Sequence, residues 1–154
     1  MRLPPFQDLL DRNREAVYRF LVAAVGPQEA DDCFQETFLA ALRAYSRLES
    51  ADNLRGWVLT IARNKALDHH RRQALRPEPT DQLPESPVPV ADPDHTGIWS
   101  AVRQLPPKQM SAVIYRFVND LPYRDIARLL DCSEEAARRN VHEALKKLRG
   151  AIHE

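Results

Sequence analysis

LPYRDIARLLDCSEEAARRNVHEALKKLR, residues 121 to 149, is the stretch whose reading decides the fold. Ile126, Ala127, Leu129 and Leu130 make an apolar face that Asp131-Cys132-Ser133 interrupts, so the pattern predicts a short helix, a polar turn and a second helix. Ser133 is placed to cap that second helix, its hydroxyl accepting a backbone N–H two or three residues on, and Glu134 and Glu135 suit the positive end of the helix dipole. Ala137, Val141, Ala144, Leu145 and Leu148 then recur at helical spacing and should face inward. The other face carries Arg138, Arg139, His142, Lys146 and Arg149. Helix, short turn and a second helix with a cationic outer face describe a helix-turn-helix, whose second helix is shaped to enter the DNA major groove. A solvated surface helix would present the same charges, so the motif alone leaves both readings open.

Upstream, Met110, Val113, Ile114, Phe117 and Val118 fall at i, i+3, i+4, i+7 and i+8, the stripe of a core-facing helix. A short helix over Ile98 to Gln104 precedes it, and Pro106-Pro107 punctuates the two. Between Arg76 and Asp94 stand Pro77, Pro79, Pro84, Pro87, Pro89 and Pro93, half of the chain's prolines, among few residues able to form a core. This composition predicts an acidic, extended linker over 76–95, which divides the chain into an N-terminal unit, 1–75, and a C-terminal unit, 96–154.

The N-terminal unit reads as three helices. Phe6, Leu9, Leu10, Ala16, Val17, Phe20, Leu21 and Ala24 approximate a 3.6-residue period up to Gly26-Pro27. From about Gln28 to Tyr45, Ala30, Phe34, Thr37, Phe38, Ala41, Leu42 and Tyr45 lie on one side. Asp31, Asp32, Gln35, Glu36 and Leu39 lie on the other, an acidic face around an exposed leucine that suits a basic partner. After a polar loop, Leu54 begins a third helix with Gly56 in its first turn and Trp57, Val58, Ile61, Ala62 and Leu67 inward. Arg55, Arg63, Asn64, Lys65, Asp68, Arg71 and Arg72 are left for the surface. With no alternating strand pattern anywhere, the expected fold is all-α.

The formal net charge is zero, from 22 basic and 22 acidic residues, yet the distribution is uneven. Residues 51–75 hold five basic and two acidic residues, 98–154 hold ten and seven, and 76–97 hold one and five. A polyanion responds to the local field, so two cationic segments masked in the total still suit nucleic acid. No apolar run approaches membrane-spanning length, and MRLPPFQDLL lacks the apolar block of a signal peptide, so a cytoplasmic protein without membrane insertion is expected. Cys33 and Cys132 show no ligand spacing and read as reduced packing residues. Asp68-His69-His70 cannot easily converge on one metal, because consecutive helical side chains point about 100° apart. Four glycines hold no phosphate loop and no nucleophile–base pairing stands out, so neither an enzyme nor a cofactor is expected.

Three stretches in order, ADDCFQETFLAAL (30–42), LRGWVLTIARNKALDHHRR (54–72) and LPPKQMSAVIYRFVNDLPYRDIARLLDCS (105–133) followed by HEALKKLR (142–149), together resemble a bacterial RNA polymerase sigma factor of the extracytoplasmic-function (ECF) class. The resemblance spans nearly the whole chain except the linker. It implies that Asp31, Asp32, Gln35, Glu36 and Leu39 dock on the clamp helices of the polymerase largest subunit, and that the C-terminal unit meets the flap. It further implies that Asn53, Arg55, Arg63, Asn64, Lys65, Arg71 and Arg72 contact the promoter element nearest the start site, where the preceding loop captures an unstacked base. Trp57 is then a core residue. Ser133, Arg138, Arg139, His142, Lys146 and Arg149 would read the upstream, minus thirty-five element, and an anti-sigma factor joins core polymerase and promoter DNA among the implied partners. Glu135-Ala136-Ala137, Arg138-Arg139-Asn140 and Glu143 depart from the Gly-Thr-Val, Lys-Ser-Arg and Arg frequent in such proteins, which alters contacts to phosphate and base edges. Two other readings remain: a helix-turn-helix regulator acting without polymerase, and a polymerase-binding adaptor that reads its promoter poorly.

Overall fold

The computed structural model describes residues 2–75 and 97–152, and the proline-rich segment read as a linker lies outside them. Among the described residues all regular structure is helical: α1 (Phe6–Val25), α2 (Pro27–Tyr45), α3 (Leu54–Leu75), α4 (Ile98–Arg103), α5 (Pro107–Phe117), α6 (Tyr123–Leu130) and α7 (Glu134–Ile152). The boundaries follow local chemistry. Gly26 takes φ 91°, open to a residue without Cβ, and ends α1 while Pro27 starts α2 at a position where its missing N–H is no loss. Pro107 opens α5 in the same way. Asp131 adopts the left-handed conformation after α6, and the Cys132 N–H returns to the Ala127 carbonyl, which closes that helix and turns the chain into α7.

α1, α2 and α3 pack on one another, and α5, α6 and α7 do likewise, with α4 on α7 and α1. The two sets share one apolar cluster running from Leu9 to Leu148. The seam lies where α5 meets α1 and α3: Tyr115 is fully buried, its ring centroid 5.1 Å from that of Phe20 and its hydroxyl donating to the Leu59 carbonyl at 3.2 Å. Burial pushes the Tyr115 phenol well above its ordinary pKa. The C-terminal helices α4, α5 and α6 thus pack against α1 and α3 of the N-terminal unit. The sequence reading found only one stripe on α5, whereas Ser111, Ala112 and Tyr115 on its further side are buried as well, and a 3.6-residue pattern cannot show that a second face is covered by a distant element.

Two inward assignments are corrected. Leu42 is 53% exposed and Phe117 59% exposed. Leu42 stands one residue past buried Ala41, a step of about 100° that carries it out of the packed arc of α2. Phe117 ends α5 at the rim of an apolar trough that Trp99, Val102, Val113 and Leu145 also line.

Candidate nucleic-acid interface and docking face

On α2 the structure brings Asp31, Asp32, Gln35, Glu36 and Leu39 to one exposed face. Leu39 is 50% exposed, and Leu42 belongs beside it, falling between Asp31 and Gln35 at about 100° per residue. Sequence reasoning missed Leu42 because an apolar residue near the packed arc is indistinguishable from a core residue. Tyr18 stands near Asp31, and its phenol pKa is raised by partial burial first and by the Asp31 carboxylate next. Tyr18 in turn stands edge-on to Phe34 at 5.8 Å. Asp32, Cys33 and Glu36 share a polar hollow with His69 and Arg72 of α3. There the Cys33 thiol is pushed up to about 11 by burial first and by Glu36 and Glu29 next, with Arg72 opposing.

The seven candidates around α3 do not form one face. Asn53, at φ 58°, turns its Oδ1 to accept the Gly56 N–H at 3.1 Å and so caps the helix. A Cβ on Gly56 would meet Asn53 Nδ2 at 2.4 Å and Leu129 Cδ2 at 2.9 Å, which accounts for glycine inside the first turn. Arg55 reaches back to α1, donating to Asn13 Oδ1 at 2.9 Å and to the Arg12 carbonyl at 2.7 Å. Arg63, half-buried, donates from Nε to Ser111 Oγ of α5 at 2.8 Å. Lys65 and Arg72, seven residues apart, lie along the α2 side, and Asn64 and Arg71 share a second line about 100° away. Arg71 is paired with Asp68. His70 Nε2 lies 2.7 Å from the Ala24 carbonyl and His69 Nδ1 lies 4.0 Å from Glu29, so the adjacent histidines diverge.

α7 is different. Ser133 caps it, its Oγ accepting the Ala136 N–H at 3.0 Å, and Ala137, Val141, Ala144 and Leu148 are buried. Arg138, Arg139, His142, Lys146 and Arg149 are all exposed, and at about 100° per residue they occupy one arc roughly 100° wide with Glu135 inside it. Arg138 is oriented by Glu134 at 3.0 Å and lies 4.9 Å from the centroid of the Tyr123 ring, which Arg116 also stacks on at 4.5 Å.

A helix-turn-helix with a cationic arc therefore packs against a three-helix unit that bears an exposed acidic and apolar face on α2. The Sigma-70 region 2 family matches residues 9–76 and the Sigma-70 region 4 family matches residues 96–148. RNA polymerase sigma factor CarQ of Myxococcus xanthus is 32% identical, over 97% of this chain and 90% of its own length. ECF RNA polymerase sigma factor BldN of Streptomyces coelicolor is 30% identical over 93% of this chain, which spans only 58% of that relative. In fold, the sigma factor RpoE of Bartonella quintana, solved in complex with the anti-sigma factor NepR, superposes with a TM-score of 0.73 at 21% identity, covering 96% of both chains. The chain belongs to the ECF RNA polymerase sigma factors of the sigma-70 family.

Proposed function

We propose that this chain is a cytoplasmic promoter-specificity subunit. It rides on core RNA polymerase through the α2 face, with α7 reading the upstream promoter element and the α3 unit holding the proximal one during strand opening. The domain division at 76–95 belongs to this proposal, since a linker there lets each unit reach its own element. The observation that supports it most is the pairing, on one chain, of an exposed face built from Asp32, Glu36 and Leu39 with an exposed, mostly cationic arc on α7. An acidic face with an apolar centre suits a basic partner surface, and the arc suits phosphates flanking a major groove. Among the described residues no helix is long and apolar enough to cross a membrane.

Within this reading the trough beside Phe117 is where the C-terminal unit takes the polymerase flap. An anti-sigma factor is proposed as a further partner, as the Bartonella quintana RpoE has one. The chain carries out no covalent chemistry. Core polymerase retained on immobilised chain tests the docking step: Asp32→Lys with Glu36→Lys should lower retention at least tenfold without loss of helicity. Undiminished retention would remove α2 from the polymerase contact and favour a regulator that works through its helix-turn-helix alone.

A further inference from the structure

Three side chains from three different elements meet where the chain enters the helix-turn-helix. Tyr123 is the first residue of α6, Arg116 stands in the last turn of α5, and Arg138 lies in the second turn of α7. The Arg116 Cζ is 4.5 Å from the centroid of the Tyr123 ring and the Arg138 Cζ is 4.9 Å from it, both within the reach of a cation–π contact. Each guanidinium has one further tether. Arg116 donates from Nη1 to the Leu121 carbonyl at 3.1 Å, and Arg138 donates from Nη2 to Glu134 at 3.0 Å. Two cations gathered on one ring repel each other, and among the described residues Glu134 is the one carboxylate paired with either. A guanidinium carries five N–H donors, so most of those on both side chains are left for another acceptor.

We propose that Arg116, Tyr123 and Arg138 form a clamp for the DNA phosphate backbone, in which Arg116 adds a contact from outside α7 and the Tyr123 ring is the positioning group that holds both guanidiniums. The inference rests on the DNA-reading role proposed for α7. A planar guanidinium can offer two N–H groups to one phosphate, and it gives up less freedom on binding when it is already held against an aromatic face. The Arg138 side chain is 54% exposed, and its exposed i,i+4 pair with Glu134 fixes it only weakly. The ring supplies the second restraint. Arg116 is half-buried and belongs to α5, so the outer face of α7, read by itself, does not include it. A brace that merely joined three helices would use the same contacts, and the two roles separate on readouts that stability does not move.

The test titrates the full chain against a mixed-sequence DNA duplex over a range of salt, with denaturant unfolding of each variant measured alongside. Arg116→Ala should weaken binding about fivefold and lower the log–log salt slope by close to one, as the loss of one phosphate contact does. Tyr123→Leu should weaken binding by at least about the same factor, whereas Tyr123→Phe and Tyr123→Trp, which keep a ring against the cations, should stay within about twofold of the parent. Added to Arg116→Ala, Tyr123→Leu should cost distinctly less than it costs the parent, because one of the two guanidiniums it holds is already gone. If Tyr123→Leu does not fold, Arg116→Lys decides in its place: it keeps the charge and loses the planar fork, so it should bind more weakly than the parent, and parent-like affinity would count against the clamp. Strictly additive losses, or equal losses for Tyr123→Phe and Tyr123→Leu, would overturn the ring's positioning role. A salt slope that moves with Lys146→Ala but not with Arg116→Ala overturns the clamp alone. Slopes that move with neither overturn the DNA-reading role of α7 beneath it.

Discussion

α3 and α7 look alike in sequence, each an amphipathic helix with cations on its outer side, yet the structure uses those cations differently. On α7 the five basic or imidazole side chains stand in one exposed arc, and Arg139, His142, Lys146 and Arg149 are not engaged by other described residues. On α3 Arg55 braces α1, Arg63 braces α5, Arg72 lines the acidic hollow on α2, and Arg71 pairs with Asp68. A cation left to solvent can serve a phosphate at once. One already bonded within the protein must first give up that bond, so under the proposed function the α7 cations meet DNA as they stand, whereas Arg55 and Arg63 of α3 do so only after rearrangement.

The comparison breaks most sharply on stability. Arg55→Ala deletes two charge-assisted bonds and strips the buried Asn13 of a partner, so denaturant unfolding should show a loss of about 2–3 kcal/mol. Arg149→Ala should stay within about 0.5 kcal/mol; equal losses would erase the distinction between the helices. For duplex binding, Lys146→Ala or Arg139→Ala should weaken affinity about tenfold and flatten the log–log salt slope by close to one, as removal of one phosphate contact does. An unchanged slope would return these residues to plain surface.

Glu135 sharpens the same comparison by a smaller amount. It sits within the cationic arc with no ion pair among the described residues, so Glu135→Gln should tighten DNA binding about threefold by removing a like-charge clash with phosphate. Weaker binding would give the carboxylate a direct role in reading a base. Smallest in consequence is the behaviour of the two thiols. Cys33, buried with its pKa pushed up to about 11, should be alkylated at pH 8 far more slowly than Cys132, which mass spectrometry of partly modified protein can count.

Much of this fold could be read from residues alone because its punctuation is chemical. Gly26-Pro27 ends one helix and starts the next, Pro107 opens α5, and Ser133 caps α7 through the hydroxyl contact that its position implied. The exposed face of α2 was equally legible, since Asp31, Asp32, Gln35, Glu36 and Leu39 needed only the helical period to fall together. Asn53, Arg55 and Arg63 were not legible in that way. Their partners, Gly56, Asn13 and Ser111, are set by capping geometry and by contacts between distant elements, and no periodicity carries that information. Leu42 and Phe117 escaped for the opposite reason: each is apolar at the margin of a packed arc, where pattern alone assigns burial by default.

Mapping the 5′ ends of transcripts made by purified core polymerase on a promoter library, with and without this chain, tests the central claim most directly. The account predicts new position-specific start sites that depend on the chain and disappear with Asp32→Lys and Glu36→Lys. No new start sites, or start sites indifferent to that charge reversal, would contradict it.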